Sequence, residues 1–187
     1  MRRDDWSEGV IVVLMGVTGS GKTTIGTRLA AALHWEYAEG DDYHSPANKA
    51  KMHAGIPLTD EDRAPWLARL HEVLLGWYRS GTSGVLACSA LRQSYRDELS
   101  AGIPKAELRF VLLEVPRDVL EERLAERRNH YMSPALLDSQ IATLEMPRDA
   151  IRVRGDLPPD QVVAEIMSAI RGDAVPGDAA PAAESHP

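Results

Sequence analysis

Gly16-Val17-Thr18-Gly19-Ser20-Gly21-Lys22-Thr23 places three glycines, a lysine and a hydroxyl side chain within eight positions, a set suited to holding a phosphate. Glycine accepts the left-handed backbone that turns consecutive N–H groups inward around an anion. Lys22 would add a point charge at the β- and γ-phosphates, and the Thr23 hydroxyl is placed to ligate Mg²⁺. Thr24 follows within reach of an α-phosphate. Such a loop needs a strand before it and a helix after it. Residues 10–15 are a continuous apolar run and residues 22–33 an amphipathic stretch, so both are supplied. A glycine-rich turn with a merely solvated lysine is the competing reading. The context favours a nucleotide phosphate site, built from Gly16, Val17, Thr18, Gly19, Ser20, Gly21, Lys22, Thr23 and Thr24.

A second group of chemistry-bearing residues follows a short extended segment: Glu39-Gly40-Asp41-Asp42-Tyr43-His44, then Lys49 and Lys51, then Thr59-Asp60-Glu61-Asp62-Arg63. In an open parallel sheet, ligands bind outside the carboxyl ends of the strands. An acid at such an end faces the phosphate loop and can orient or deprotonate a hydroxyl, or hold Mg²⁺-bound water. Taken alone, the same run also reads as a solvated acidic turn.

The elements that must position these residues alternate between short β-rich runs and longer amphipathic stretches. Strands are expected at residues 10–15, 36–39, 84–88, 109–115 and 151–154; helices at 22–33, 47–53, 62–79, 93–99, 117–128, 134–144 and 160–171. That alternation predicts an α/β fold with a parallel sheet wrapped by crossover helices. Trp66, Leu70, Val73, Leu74 and Trp77 recur at helical spacing and are expected to form core. Thr59 or Asp62 could cap that helix, and Pro65 suits an early turn.

The chain has 187 residues, which allows one domain with a full core. We expect a single domain over residues 1–171. Gly, Ala and Pro supply ten of the last sixteen residues, so 172–187 is expected to be a disordered tail. With 21 Lys and Arg against 28 Asp and Glu, the formal charge of −7 argues against bulk nucleic-acid binding. The longest early apolar run is far short of a transmembrane helix. The lone Cys88 cannot form an internal disulfide, which fits a reducing cytoplasm.

Several runs together carry a family resemblance. MGVTGSGKTT, GDDYH, ANKAKM, GIPLTDEDR with the following PWL, CSALR with YRD, and LLDSQIATLE resemble the gluconokinases, small P-loop kinases similar to shikimate and nucleoside monophosphate kinases. The resemblance spans residues 10–170. It implies a three-layer P-loop NTPase fold with a five-stranded parallel sheet, an acceptor-binding region over residues 41–80 and a mobile lid over 127–135. It also implies Mg²⁺-ATP as phosphoryl donor, D-gluconate as acceptor, and a homodimer. On matching positions, Asp41 is the expected catalytic carboxylate and His44 a contact to the sugar acid. An acceptor that is itself a carboxylate calls for arginine forks, and Arg63 and Arg92 stand in the matching motifs. Lys51 and Gln140 are further acceptor contacts. By resemblance to the nucleoside monophosphate kinases, Arg123 is expected against the adenine and Arg127 on the phosphates, although a basic helix end favouring the macrodipole explains the same pair.

Three positions depart from the family pattern. Glu39 stands where an Asp is usual, which bears on its holding Mg²⁺-bound water. Arg128-Asn129-His130 replaces Lys-Gly-His, and the apolar run at 84–88 ends without a carboxylate, so metal ligation falls to Thr23 and the acids near Asp41. The rival readings are a kinase for another small hydroxy acid or sugar acid, and a nucleotide-gated binding protein with ATPase activity.

Overall fold

The computed structural model describes residues 9–126 and 134–172. Their order is β1 (Ile11–Met15), α1 (Lys22–Leu33), β2 (Glu36–Glu39), a single 3₁₀ turn (Gly40–Tyr43), α2 (Pro46–His53), α3 (Asp60–Ser80), β3 (Gly84–Ala87), α4 (Gln93–Ser100), β4 (Leu108–Glu114), α5 (Arg117–Glu126), α6 (Pro134–Thr143), β5 (Ile151–Arg154) and α7 (Pro159–Arg171). The five strands form one parallel sheet in the order β2-β3-β1-β4-β5. All five therefore end at the same edge. β1 lies in the middle, with β3 on one side and β4 on the other, so chain crossings to both halves of the sheet diverge from its carboxyl end.

Burial explains the strand composition. Every residue of β1 is fully buried, because helices cover both faces. Ile11, Val13 and Met15 pack with Leu86, Leu112 and the α3–α4 side chains Trp66, Leu70, Leu74, Tyr95 and Leu99. Val12 and Leu14 pack on the opposite face with Ile25 and Leu29 of α1 and Val162 and Ile166 of α7. The expected α3 stripe is core, and its closeness to the sheet requires Gly84: a Cβ there would meet the Trp77 ring at 2.6 Å. A third, smaller cluster of Val17, Leu91, Leu120 and Leu137 sits over the carboxyl edge and ties the loop after β1 to α5 and α6.

Most boundaries fall within two residues of expectation. α3 begins earlier than expected because Thr59 and Asp62 act together: the Thr59 hydroxyl accepts from Asp62 N–H at 3.2 Å, and the Asp62 carboxylate accepts from Thr59 N–H at 3.0 Å. Pro65 consequently lies inside the helix rather than in its first turn. Arg127, the rest of the expected lid through residue 133, and the tail over 173–187 lie outside the described residues.

Removing one half of the capping box leaves an orphan N–H at the start of α3. Thr59→Ala is expected to lower stability by about 1 kcal/mol, read as a lower urea midpoint with an unchanged slope.

Candidate active site

The site is assembled from loops that leave the carboxyl edge of the sheet. In the loop between β1 and α1, Gly19 and Gly21 adopt φ of +80° and +98°, conformations that a side chain would strain. Gly16 has a different constraint: a Cβ there would approach Ser20 Oγ to 2.7 Å. Lys22 Nζ donates to the carbonyls of Gly16 at 2.9 Å and Val17 at 3.0 Å, folding its ammonium back over the loop. Ser20 Oγ is buried and makes no hydrogen bond, an unsatisfied polar atom within the anion cradle. The left-handed glycines, the ammonium and this hydroxyl at a helix N-terminus fit a nucleotide's phosphates. Thr23 and Thr24 are exposed on the first turn of α1.

Two side chains brace this loop from behind. Gln140 Oε1, on α6, accepts from Thr18 N–H at 2.7 Å. Gln140, expected as an acceptor contact, is thus spent on the donor loop. Arg123, on α5, donates to Gly155 O at 3.0 Å and more weakly to Gly19 O and Ser20 O. The guanidinium expected against an adenine here supports the backbone of the phosphate loop.

The residue after β2 is constrained by its neighbour strand. A Cβ on Gly40 would lie 2.6 Å from Ala87 O, so only glycine lets the 3₁₀ turn carrying Asp41 pass this close to β3. Trp66 Nε1 then anchors that turn by donating to Gly40 O at 2.7 Å. Asp41 is exposed. Cys88, buried at the end of β3, reports the convergence: its thiol is pushed up to about 12, chiefly by burial, with the charges of Asp41, Lys22 and Glu39 near enough to act on it. Lys22, Glu39 and Asp41 therefore all lie near enough to the end of β3 for their charges to act on Cys88. Glu39 Oε2 accepts from the Tyr37 hydroxyl at 2.8 Å, and the Thr23 hydroxyl lies beside the same phenol. Burial and the Glu39 carboxylate hold Tyr37 well above the usual phenol range, so it remains a donor. Thr23 and Glu39, the two expected metal-site residues, are thereby brought into one small group.

His44 is only 7 % exposed and stacks on Trp66, ring centroids 4.3 Å apart and planes 12° from parallel. Its Nδ1 is buried without a partner. Burial, reinforced by the positive charges of Lys49 and Arg63, lowers its pKa to about 4. The imidazole is neutral and packs against the indole that anchors the Asp41 turn. Lys51 is held by Asp62, at 2.7 Å to each carboxylate oxygen, and Asn48 Nδ2 ties α2 to α3 through Asp62 O at 2.6 Å.

Arg63 and Arg92, distant in sequence, both lie against Tyr95. Their guanidinium carbons lie 5.7 and 5.8 Å from its ring centroid. Arg92 leaves the loop between β3 and α4, whose shape depends on Arg96. That buried arginine donates to Ala90 O, Leu91 O and Glu145 O within 3.1 Å, and Ala90 adopts φ of +44°. Sequence reasoning missed Tyr37, Asp60, Tyr95 and Arg96. Arg96 lies in the YRD run and Asp60 in the same run as Arg63, but neither signal distinguishes a site residue from a surface charge.

A family model described as an AAA domain matches residues 11–147. The chain is 46 % identical to a gluconokinase from Gluconobacter oxydans, over 83 % of this chain and 88 % of that protein. The chain belongs to the gluconokinase family. In structure it is similar to a gluconokinase from Sinorhizobium meliloti, with a TM-score of 0.80, 40 % identity, and coverage of 89 % of this chain and 94 % of that one. An APS kinase of Mycobacterium tuberculosis, at 20 % identity and a TM-score of 0.65, covering 89 % of this chain and 99 % of that one, shares the fold alone. The five-stranded P-loop kinase architecture implied by the family motifs is the one found.

Since the native state holds His44 neutral and the unfolded chain does not, the unfolded state binds the extra proton as the solution is acidified. This contribution to stability is complete above pH 6.5, the ordinary histidine value, and is lost as the pH falls toward about 4. Urea midpoints measured across that window should fall for the wild type and fall less steeply for His44→Gln.

Proposed function

We propose that this member of the gluconokinase family transfers the γ-phosphoryl group of ATP to the 6-hydroxyl of D-gluconate, giving 6-phosphogluconate and ADP. The observation that carries the reading is the convergence at one sheet edge of a phosphate loop, an exposed carboxylate and a pair of arginines, in a chain that matches gluconokinases over most of its length.

Asp41 accepts the proton of the 6-hydroxyl as that oxygen bonds to the γ-phosphorus. The bond from phosphorus to the β,γ-bridging oxygen breaks, and the charge passes to the leaving ADP, where Lys22 and the inward N–H groups of the loop receive it. Arg127 is assigned to the transferring phosphoryl group. Arg63 and Arg92 take the acceptor's carboxylate, with Lys51 beside them. Arg123 and Gln140 keep the phosphate loop in shape. Thr23 directly, and Glu39 through water, are the residues that would hold Mg²⁺, which when bound neutralises phosphate charge. The segment 127–135 is proposed as a lid that excludes water during transfer.

No helix among the described residues is long and apolar enough to cross a membrane. We place the enzyme in the cytoplasm, acting on a free small molecule as a homodimer. A kinase for a different sugar acid would share every donor-side feature and differ only in the acceptor pocket.

A coupled assay of ADP release with Mg²⁺-ATP decides the matter. D-gluconate should accelerate release and yield 6-phosphogluconate, while shikimate, nucleoside monophosphates and glucose should not. Turnover indifferent to every acceptor would overturn the kinase reading. Lys22→Ala should abolish transfer in a folded protein, and Asp41→Asn should lower kcat by about 10²- to 10⁴-fold with the KM for ATP little changed.

A further inference from the structure

The cluster around Tyr95 contains more than its two arginines. Arg92 Nη1 lies 2.7 Å from Asp60 Oδ2, and the Tyr95 hydroxyl donates to Asp60 Oδ1 at 2.5 Å. Arg63 Nη1 reaches the Tyr95 oxygen at 3.4 Å and Asp60 Oδ1 at 3.5 Å. One carboxylate and one phenol thus hold both guanidiniums, one from α3 and one from the loop before α4.

Stability alone gives a weak account of this arrangement. The Asp60 side chain is 57 % exposed and that of Arg92 40 % exposed, and ion pairs at such exposure contribute little. The tyrosine differs: it is buried at 7 % exposure, and only its hydroxyl emerges to meet Asp60. A rigid aromatic ring against which both cations lie restricts where their guanidiniums can sit. Among the described residues, each arginine hydrogen-bonds through Nη1. Among the described residues, Nε and Nη2 of both find no protein acceptor. Two cations against a single carboxylate also leave one positive charge in excess, the complement of a single acid group.

We propose that Asp60 and Tyr95 are positioning residues for acceptor recognition. They fix one edge of each guanidinium so that the remaining Nε and Nη2 donors of Arg63 and Arg92 are presented, already aligned, to the carboxylate of a sugar acid. A bidentate carboxylate pair demands coplanar donors, and a flexible arginine must give up rotamer freedom to provide them. The internal contacts meet that cost before the acceptor arrives. Asp60 and Tyr95 touch no reacting atom and act only through the arginines. The proposal rests on the gluconokinase reading and specifies how its acid group is read.

Steady-state kinetics of Asp60→Asn and Tyr95→Phe test this, since both substitutions nearly conserve shape and the second keeps the buried ring. We expect the KM for D-gluconate to rise about tenfold, equivalent to about 1.4 kcal/mol, while kcat stays within about threefold and the KM for ATP within about twofold. In a double-variant cycle, the losses caused by Asp60→Asn and Arg92→Ala should be less than additive, because part of the effect of Asp60 is exerted through Arg92 and the rest through Arg63. An unchanged or lowered KM for gluconate in both single variants overturns the proposal. So does an equal rise in the KM for ATP, which would mark the cluster as a scaffold for the whole domain. Absence of gluconate turnover in the unsubstituted enzyme is a separate result and overturns the function itself.

Discussion

Everything that acts in this protein depends on the burial of a parallel sheet on both faces. Covering β1 from both sides makes it apolar throughout and forces each connection to cross over the sheet and re-enter in the same direction. Five strands that run one way must end together. The phosphate loop, the turn bearing Asp41 and the loop bearing Arg92 leave that common edge, so one packing constraint brings these three segments together.

Several glycines and a few buried polar contacts then refine positions that the sheet only approximates. Gly40 lets the Asp41 turn pass against the backbone of β3, and the Trp66 indole holds that turn from α3. Trp66 belongs to the apolar core on one side and donates to the turn bearing Asp41 on the other. His44 completes the same contact as a neutral ring, since a charged imidazole stacked at that depth would lose its hydration. Core and loop are therefore one structure, and a change in α3 packing reaches the turn bearing Asp41 through a single hydrogen bond.

α6 has a comparable bridging role. Gln140 supports the phosphate loop through Thr18, and just beyond the helix Glu145 engages Gln93 N–H and, through its carbonyl, Arg96. Arg96 in turn fixes the carbonyls of Ala90 and Leu91, immediately before Arg92. The LLDSQIATLE run thus joins the phosphate loop to the loop bearing Arg92.

The phosphate loop, the α/β class, the α3 stripe and nearly all elements were legible in the sequence, because each follows from local spacing: glycines at a turn, apolar runs of strand length, a helical repeat from Trp66 to Trp77. Other features had no local signal. Gln140 in its motif carries no signal for its bond to Thr18 N–H, which exists only because α6 approaches the phosphate loop. The bonds of Arg123 to the carbonyls of Gly19, Ser20 and Gly155 likewise depend on the packing of α5 against that loop. Asp60 and Tyr95 are 35 residues apart, and their pairing exists only because α3 packs beside α4. Residue types and local spacing set which chemistry this chain could perform; the side-chain partners, which depend on contacts between segments remote in sequence, were decided by the tertiary structure.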